Sequence, residues 1–159
     1  MRLHVPVGLR WSDLDAYGHV NNVNLLRLLE EARIATFWLP EHGSDSTPTG
    51  ALALVKAQPG EETRTVIAHH EVEYLAQIPY QRDPLDIEMW LGKIGGASFE
   101  IYYEIWSNEN HNPHTLYGRA ATTLVFLDAE SNRPRRIRDE ERAAWAPYVE
   151  APVVFRTHG

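Results

Sequence analysis

The sequence predicts an α+β fold, a curved antiparallel sheet of five to six strands wrapped around one long helix. Three observations predict it. The run from Val23 to Leu39 carries apolar groups around most of a helical circumference, so other structure must cover it. Much of the remaining chain alternates apolar and polar residues with period two, as strands with one buried face do. The connections between those strands are too short for crossover helices, which favours antiparallel pairing. One sheet must then bury one nearly all-apolar helix, and wrapping around it is the simplest solution.

The elements follow in order. Leu3, Val5, Val7, Leu9 and Trp11 alternate with His4, Pro6, Gly8 and Arg10, which predicts a first strand. Pro6 has no N–H for a ladder and suits a sheet edge. The helix comes next, with Asn21 or Asn22 as its cap, since an Asn side chain accepts from free first-turn amides. Leu25, Leu26, Leu28, Leu29, Ala32, Ala35 and Trp38 supply its apolar surface, while Glu30, Glu31 and Arg33 give a narrow polar stripe. Pro40 and Gly43 stop it. A meander of strands is then expected. Leu52 to Ala57 is a short one, and His70, Val72, Tyr74 and Ala76 alternate with Glu71 and Glu73. A turn at Gln81-Arg82-Asp83-Pro84 precedes a strand through Ile87, Met89 and Leu91. Gly92 to Gly96 reads as the next turn, and Phe99, Ile101, Tyr103 and Ile105 as the next strand. A loop rich in Asn and His, Asn108 to His114, leads to a strand from Leu116 through Leu127. After a basic turn, Arg133-Pro134-Arg135-Arg136, a short helix runs from about Asp139, its expected cap, toward Tyr148.

A chain of 159 residues fits one domain, with residues 1–159 in a single unit, and is long enough to bury a core without disulfides or metals. It has no cysteine, which removes disulfides, thiolate nucleophiles and cysteine-ligated zinc. A formal net charge of −7 argues against a general nucleic-acid binder. No apolar run approaches the roughly 20 residues that span a bilayer. Met1 to Pro6 lacks the apolar core of a signal peptide, so the expected location is the cytoplasm, with no membrane partner.

The residues richest in chemistry are Arg10 to Val23, which place Asp13, Asp15, Gly18 and His19 just before the helix. The amides that open a helix are unsatisfied donors at the positive end of its dipole. Amides of Val20 to Val23 could therefore stabilise an oxyanion, beside an acid and an imidazole. Each residue also has a structural reading. Asp15 suits a turn, Asp13 can pair with Arg10, His19 can be a hydrogen-bonded loop residue, Tyr17 can simply pack, and Asn22 can cap. Other signals point away from a site. His69, His70 and Glu71 alternate faces along a strand and cannot converge on one metal. His111 and His114 have no acid cluster at ligand spacing. Gly92 to Gly96 lacks the ending of a phosphate loop. No metal is expected.

Trp11-Ser12-Asp13-Leu14-Asp15 and His19-Val20-Asn21-Asn22-Val23, in this element order, resemble the hotdog-fold thioesterases. The stretch is similar to the plant acyl-acyl-carrier-protein thioesterases and to the bacterial 4-hydroxybenzoyl-CoA thioesterase-like acyl-CoA hydrolases. Glu73-Tyr74-Leu75, Pro84-Leu85 and Gly95-Gly96-Ala97-Ser98 match the bacterial pattern too, so the resemblance covers roughly residues 3 to 138. The plant-type motif carries an asparagine between acid and histidine, and Tyr17 stands there in this chain. The bacterial branch, which relies chiefly on one aspartate, is therefore the better guide.

The resemblance implies hydrolysis of acyl-CoA thioesters, with Asp15 as general base or nucleophile and His19 as its helper. It implies substrate contacts at Tyr17, Gly18, Val20 and Asn22, with Gly18 letting the pantetheine arm come close. Ser98, from a neighbouring subunit, and Arg82 are further candidates, and Arg133, Arg135, Arg136 and Arg138 could meet the phosphates of coenzyme A. No cofactor is implied, since coenzyme A is part of the substrate. Trp90, Tyr102 and Trp106 fall opposite Met89, Ile101 and Ile105, so the sheet's second face also needs cover. Together with the resemblance this predicts a dimer or tetramer. Two other readings keep the same fold: a non-catalytic acyl-thioester-binding module, and an enoyl-CoA hydratase or dehydratase. The latter resemble Asp-x-Asn-Pro-x-His, whereas here Asp15 and His19 are one residue closer and the Asn and Pro are missing.

Overall fold

The computed structural model describes residues 1–37 and 61–156. Within them the chain runs β1 (Leu3–Val7), α1 (Asn22–Phe37), β2 (Thr63–Tyr74), β3 (Leu85–Ile94), β4 (Ser98–Trp106), β5 (Leu116–Asp128) and α2 (Asp139–Trp145). Two 3-10 turns complete this order, Trp11–Asp13 between β1 and α1 and Ala146–Tyr148 after α2. The five described strands form one antiparallel sheet in the order β1-β3-β4-β5-β2. The α+β expectation of a sheet around a helix holds. The expected strand at Leu52 to Ala57, and the helix stop at Pro40 and Gly43, lie outside the described residues.

Only β3, β4 and β5 form the expected meander. β2 crosses to the far side of the sheet and pairs with β5, Tyr74 opposite Gly118 and His70 opposite Thr122. Gly118 makes this close approach possible, because a Cβ there would lie 2.9 Å from the Glu73 carbonyl oxygen. β1 ends at Val7, earlier than the alternation through Trp11 suggests, because the chain turns into the 3-10 turn at Trp11–Asp13. Pro6 lies on an edge strand, opposite Asp86. Gly92 belongs to β3 and not to the following turn: the Tyr102 ring lies over it and would collide with any Cβ at that position.

The core sits between α1 and the inner face of the sheet. Leu25, Leu28, Leu29 and Ala32 of the helix are buried against Ile87, Met89, Phe99, Ile101, Tyr103 and Phe126. Full burial of each of these leucines and isoleucines is worth about 1.5–3 kcal/mol. At the far end, Trp145 of α2 packs on Phe99 and Phe126, with ring centroids 5.2 and 5.8 Å away, and meets Phe37 edge-on. Asp139 is the first residue of α2, and its N-cap is Arg138, whose N–H donates to Glu141 Oε1 at 2.8 Å.

Arg33 departs from the expected polar stripe. It is buried, and Nη1 donates to the Tyr103 hydroxyl at 3.2 Å. Tyr103 is also hydrogen-bonded to Thr122, whose Oγ1 is 2.9 Å from His70 Nδ1. Among the described residues no carboxylate pairs with Arg33. The exposed stripe is Arg27, Glu30 and Glu31 instead. Over β3 and β4 the second face of the sheet is covered from within the chain. Trp90 and Tyr102 are buried, the Trp90 indole donates to the Ala151 carbonyl at 2.9 Å, and the Arg2 guanidinium lies 3.8 Å over its ring. Those aromatics therefore do not form an exposed patch. No helix among the described residues is long and apolar enough to cross a membrane.

Candidate active site

The segment before α1 is held on one side by the helix start and on the other by the segment after β2. Asp13 is buried, with Oδ1 and Oδ2 accepting from Arg10 Nη2 and the Arg10 N–H, as the sequence suggests. Its carbonyl accepts from the Asn21 N–H at 2.9 Å and from Asn24 Nδ2 at 3.2 Å. Trp11 stacks on Tyr80 with centroids 4.2 Å apart, which ties this side to the segment after β2.

Between Leu14 and Val20, which face each other as an antiparallel bridge, the chain makes a tight loop. The Asp15 N–H donates to the His19 carbonyl at 2.8 Å, and the Gly18 N–H to the Asp15 carbonyl at 3.1 Å. Asp15 Oδ1 accepts the N–H groups of Tyr17 and His19 at 2.8 and 3.2 Å. Gly18 sits at φ +78°, a region where a side chain is strained. Among the described residues nothing bonds Oδ2. His19 is bridged to Pro79, and the Val20 N–H donates to the Ile78 carbonyl at 2.8 Å.

This loop opens onto a cavity of about 390 Å³, the size of a small-molecule site. Asp15, His19, Val20, Asn22 and Leu25 line one side, and Tyr74, Tyr117 and residues 75–78 the other. His19 Nδ1 is buried and has no hydrogen-bond partner among the described residues. The Tyr74 hydroxyl donates to the Asn22 carbonyl at 3.3 Å, and burial pushes its pKa up.

The helix start offers fewer free amides than its sequence suggests. The Val20 N–H goes to Ile78, Asn21 to Asp13, and Val23 to Asn21 Oδ1 at 2.8 Å, which makes Asn21 the cap. Of the four amides from Val20 to Val23, that leaves the Asn22 N–H, which has no acceptor among the described residues. Asp15, His19, Val20 and Asn22 are thus brought together. Tyr17 and Gly18 shape the loop without lining the cavity, since the Tyr17 ring points away and is 85% exposed. Ser98 opens β4 opposite Val125, and Arg82 is exposed in the turn before β3, so neither lines the cavity. Arg135 is committed to Glu141 through two contacts of 2.9 Å. Tyr117 and Tyr74 reach the site through the pairing of β2 with β5, which no local pattern in the sequence records.

One His and carboxylate group with ligand spacing exists among the described residues: His4, Asp86 and Glu88. It lies outside this cavity and its members are already engaged, His4 Nδ1 with Asp86 Oδ2 at 2.9 Å and Glu88 with Arg2 at 3.1 Å.

A sheet wrapped around a helix, with an acid-bearing loop at the helix start, defines a hotdog-fold protein of the thioesterase class. Residues 9–145 match the family model of the thioesterase-like superfamily, and the chain belongs to that family. YsmA of Bacillus subtilis, an uncharacterized protein, is 28% identical over 137 residues, covering 86% of this chain and 80% of YsmA. A predicted thioesterase from Bacillus stearothermophilus superposes with a TM-score of 0.71 at 23% identity, covering 96% of this chain and all (100%) of that one. The PA2801 protein from Pseudomonas aeruginosa gives 0.66 at 28% identity, with 90% and 95% covered. DHNA-CoA thioesterase from Staphylococcus aureus gives 0.71 at 14% identity, with 92% and 89% covered.

Proposed function

We propose that this thioesterase-like protein hydrolyses acyl-CoA thioesters to a free acid and coenzyme A, with Asp15 as general base or nucleophile. One observation carries the reading: the Asp15 carboxylate is held through Oδ1 by two backbone N–H groups and lines a cavity with an unpartnered, buried imidazole nitrogen of His19. A coenzyme A thioester is also the substrate class named for the Staphylococcus aureus protein of similar fold.

In the proposed reaction the thioester carbonyl lies near the Asn22 N–H at the positive end of α1. Asp15 either takes a proton from water as the water oxygen bonds to the carbonyl carbon, or bonds to that carbon itself and forms an anhydride that water then opens. The C–S bond breaks as the oxyanion collapses, and the sulfur leaves as thiolate and takes up a proton to give the free thiol. His19 orients the attacking group through its place beside Asp15. The protein needs no further cofactor in this scheme. We place it in the cytoplasm.

Release of free thiol from a panel of acyl-CoA and aryl-CoA esters tests this reading. Turnover by the wild type is expected, with a loss of about 100-fold or more in Asp15→Asn. Saturable acyl-CoA binding without thiol release would replace it with the binding-module reading, and hydration of an enoyl-CoA without hydrolysis with the hydratase reading.

Self-association belongs to the same proposal. β2 is a 12-residue edge strand, and Val66 and Ile67 on it are 40% and 42% exposed. Long unpaired edges of this kind readily pair with another chain. Light scattering at micromolar concentration should give at least a dimer, and a monomeric mass would overturn this part.

A further inference from the structure

We propose that the Tyr117 hydroxyl is a catalytic hydrogen-bond donor to the thioester oxygen, with Gln81 as the residue that positions its proton. This rests on the thioesterase reading above and adds a residue to it.

The inference comes from accounting for donors and acceptors around Tyr117. Its Oη is 3.2 Å from Gln81 Nε2, and the same nitrogen donates to the Pro79 carbonyl at 3.3 Å. A carbonyl oxygen can only accept, so the amide must turn its NH2 group, not its oxygen, toward Pro79. The NH2 group then faces Tyr117 as well, with one hydrogen for each acceptor. Tyr117 Oη must accept from Gln81, which leaves its own O–H without an acceptor among the described residues. Gln81 Oε1 is buried with no partner, so the amide gives up satisfaction of its oxygen to keep this orientation.

Tyr117 is only 3% exposed and lines the cavity that holds Asp15 and His19. Its backbone is fixed too: its carbonyl accepts from the N–H groups of both Leu75 and Ala76, at 2.9 and 3.1 Å. A buried residue of the cavity wall, fixed through its backbone and with an uncommitted O–H, is suited to act as a preorganised donor. The need for one is plain from the helix start, where Val20, Asn21 and Val23 have spent their N–H groups on other acceptors. The Asn22 N–H and the Tyr117 O–H together would give the developing oxyanion two donors. No proton is transferred in this step. Tyr117 stabilises the charge and keeps its hydrogen.

The test uses the full chain and the best acyl-CoA substrate of the wild type. Tyr117→Phe should lower kcat by about 100-fold with KM changed by less than about threefold, because the lost bond is made mainly in the transition state. Gln81→Glu supplies the opposite partner: its carboxylate accepts the Tyr117 proton and withdraws it from the cavity. That variant should lose kcat in the same way, and adding it to Tyr117→Phe should cause no further loss. Either single variant folded by circular dichroism and with kcat within about twofold of wild type overturns the proposal. Additive losses in the double variant overturn the role given to Gln81. Absence of turnover in the wild type overturns the thioesterase reading itself, whereas wild-type turnover with an active Tyr117→Phe removes only Tyr117.

Discussion

Asp15 and His19 hold each other through the backbone. The Asp15 N–H donates to the His19 carbonyl at 2.8 Å, and the His19 N–H returns a bond of 3.2 Å to Asp15 Oδ1. One carboxylate oxygen therefore builds the loop while the other stays available for chemistry. Asp15→Asn and Asp15→Ala should separate these two tasks. Asparagine keeps an acceptor for the Tyr17 and His19 N–H groups and removes the charge, so that variant should be inactive with near wild-type stability. Alanine removes both and should also lower stability by about 1 kcal/mol. Urea titrations read beside thiol-release rates check this. Equal stability of the two variants would mean that the Oδ1 bonds do not hold the loop.

Gly18 closes the same loop at φ +78° with open space around its Cβ position. Strain and not collision therefore sets the effect of a side chain there. Gly18→Ala should destabilise by about 1–2 kcal/mol, and Gly18→Asn by less, since Asn tolerates this region better. Thermal melts of the two variants test the order.

Arg33 is a buried cation whose described partner is a neutral hydroxyl. Tyr103→Phe removes that partner and should cost about 1–3 kcal/mol. Arg33→Met removes the charge at similar length, and replacing buried charge by apolar volume is often neutral or stabilising. The double variant Arg33→Met/Tyr103→Phe should therefore be more stable than Tyr103→Phe alone. Urea denaturation of the three variants checks it, and a double variant weaker than either single one would contradict the account.

Two histidines oppose each other in pH dependence. The hydrogen bond to Asp86 raises the pKa of His4 above the ordinary 6.5, against some desolvation. Its stabilising contribution is complete below that value and is lost as pH rises through the raised one. His70 is shifted down, first by burial and then by the nearby Arg33 charge. It stays neutral in the fold while the unfolded chain takes up a proton, so it costs stability as pH falls below 6.5. Between about pH 7.5 and about pH 5.5, His70→Gln should lose less stability than wild type, and His4→Gln more. Urea midpoints at the two pH values decide it.

Much of this was legible in the sequence, for reasons tied to range. The α1 helix, β3, β4 and β5 declare themselves through local periodicity, and the Asp15 loop through Gly18 and its neighbours. Three features are not local. β2 pairs with β5 and not with β3, and no alternation pattern records a strand's partner. Arg33 reads as a surface residue because its type is usually exposed, and only Tyr103, 70 residues further along, explains its burial. Tyr117 joins Asp15 only after β2 has crossed the sheet. The helix start has fewer free amides than its sequence suggests for a similar reason, since the acceptor of the Val20 N–H is Ile78.

Tyr17 lies at the tip of the Asp15 loop, anchored by its N–H while its ring is left in solvent. A loop held through main-chain groups constrains only the residues whose side chains or φ values it uses, here Asp15 and Gly18. Position 17 can thus drift through many residue types without disturbing the fold. The ring at the tip of the loop can therefore vary without touching the carboxylate that the loop presents.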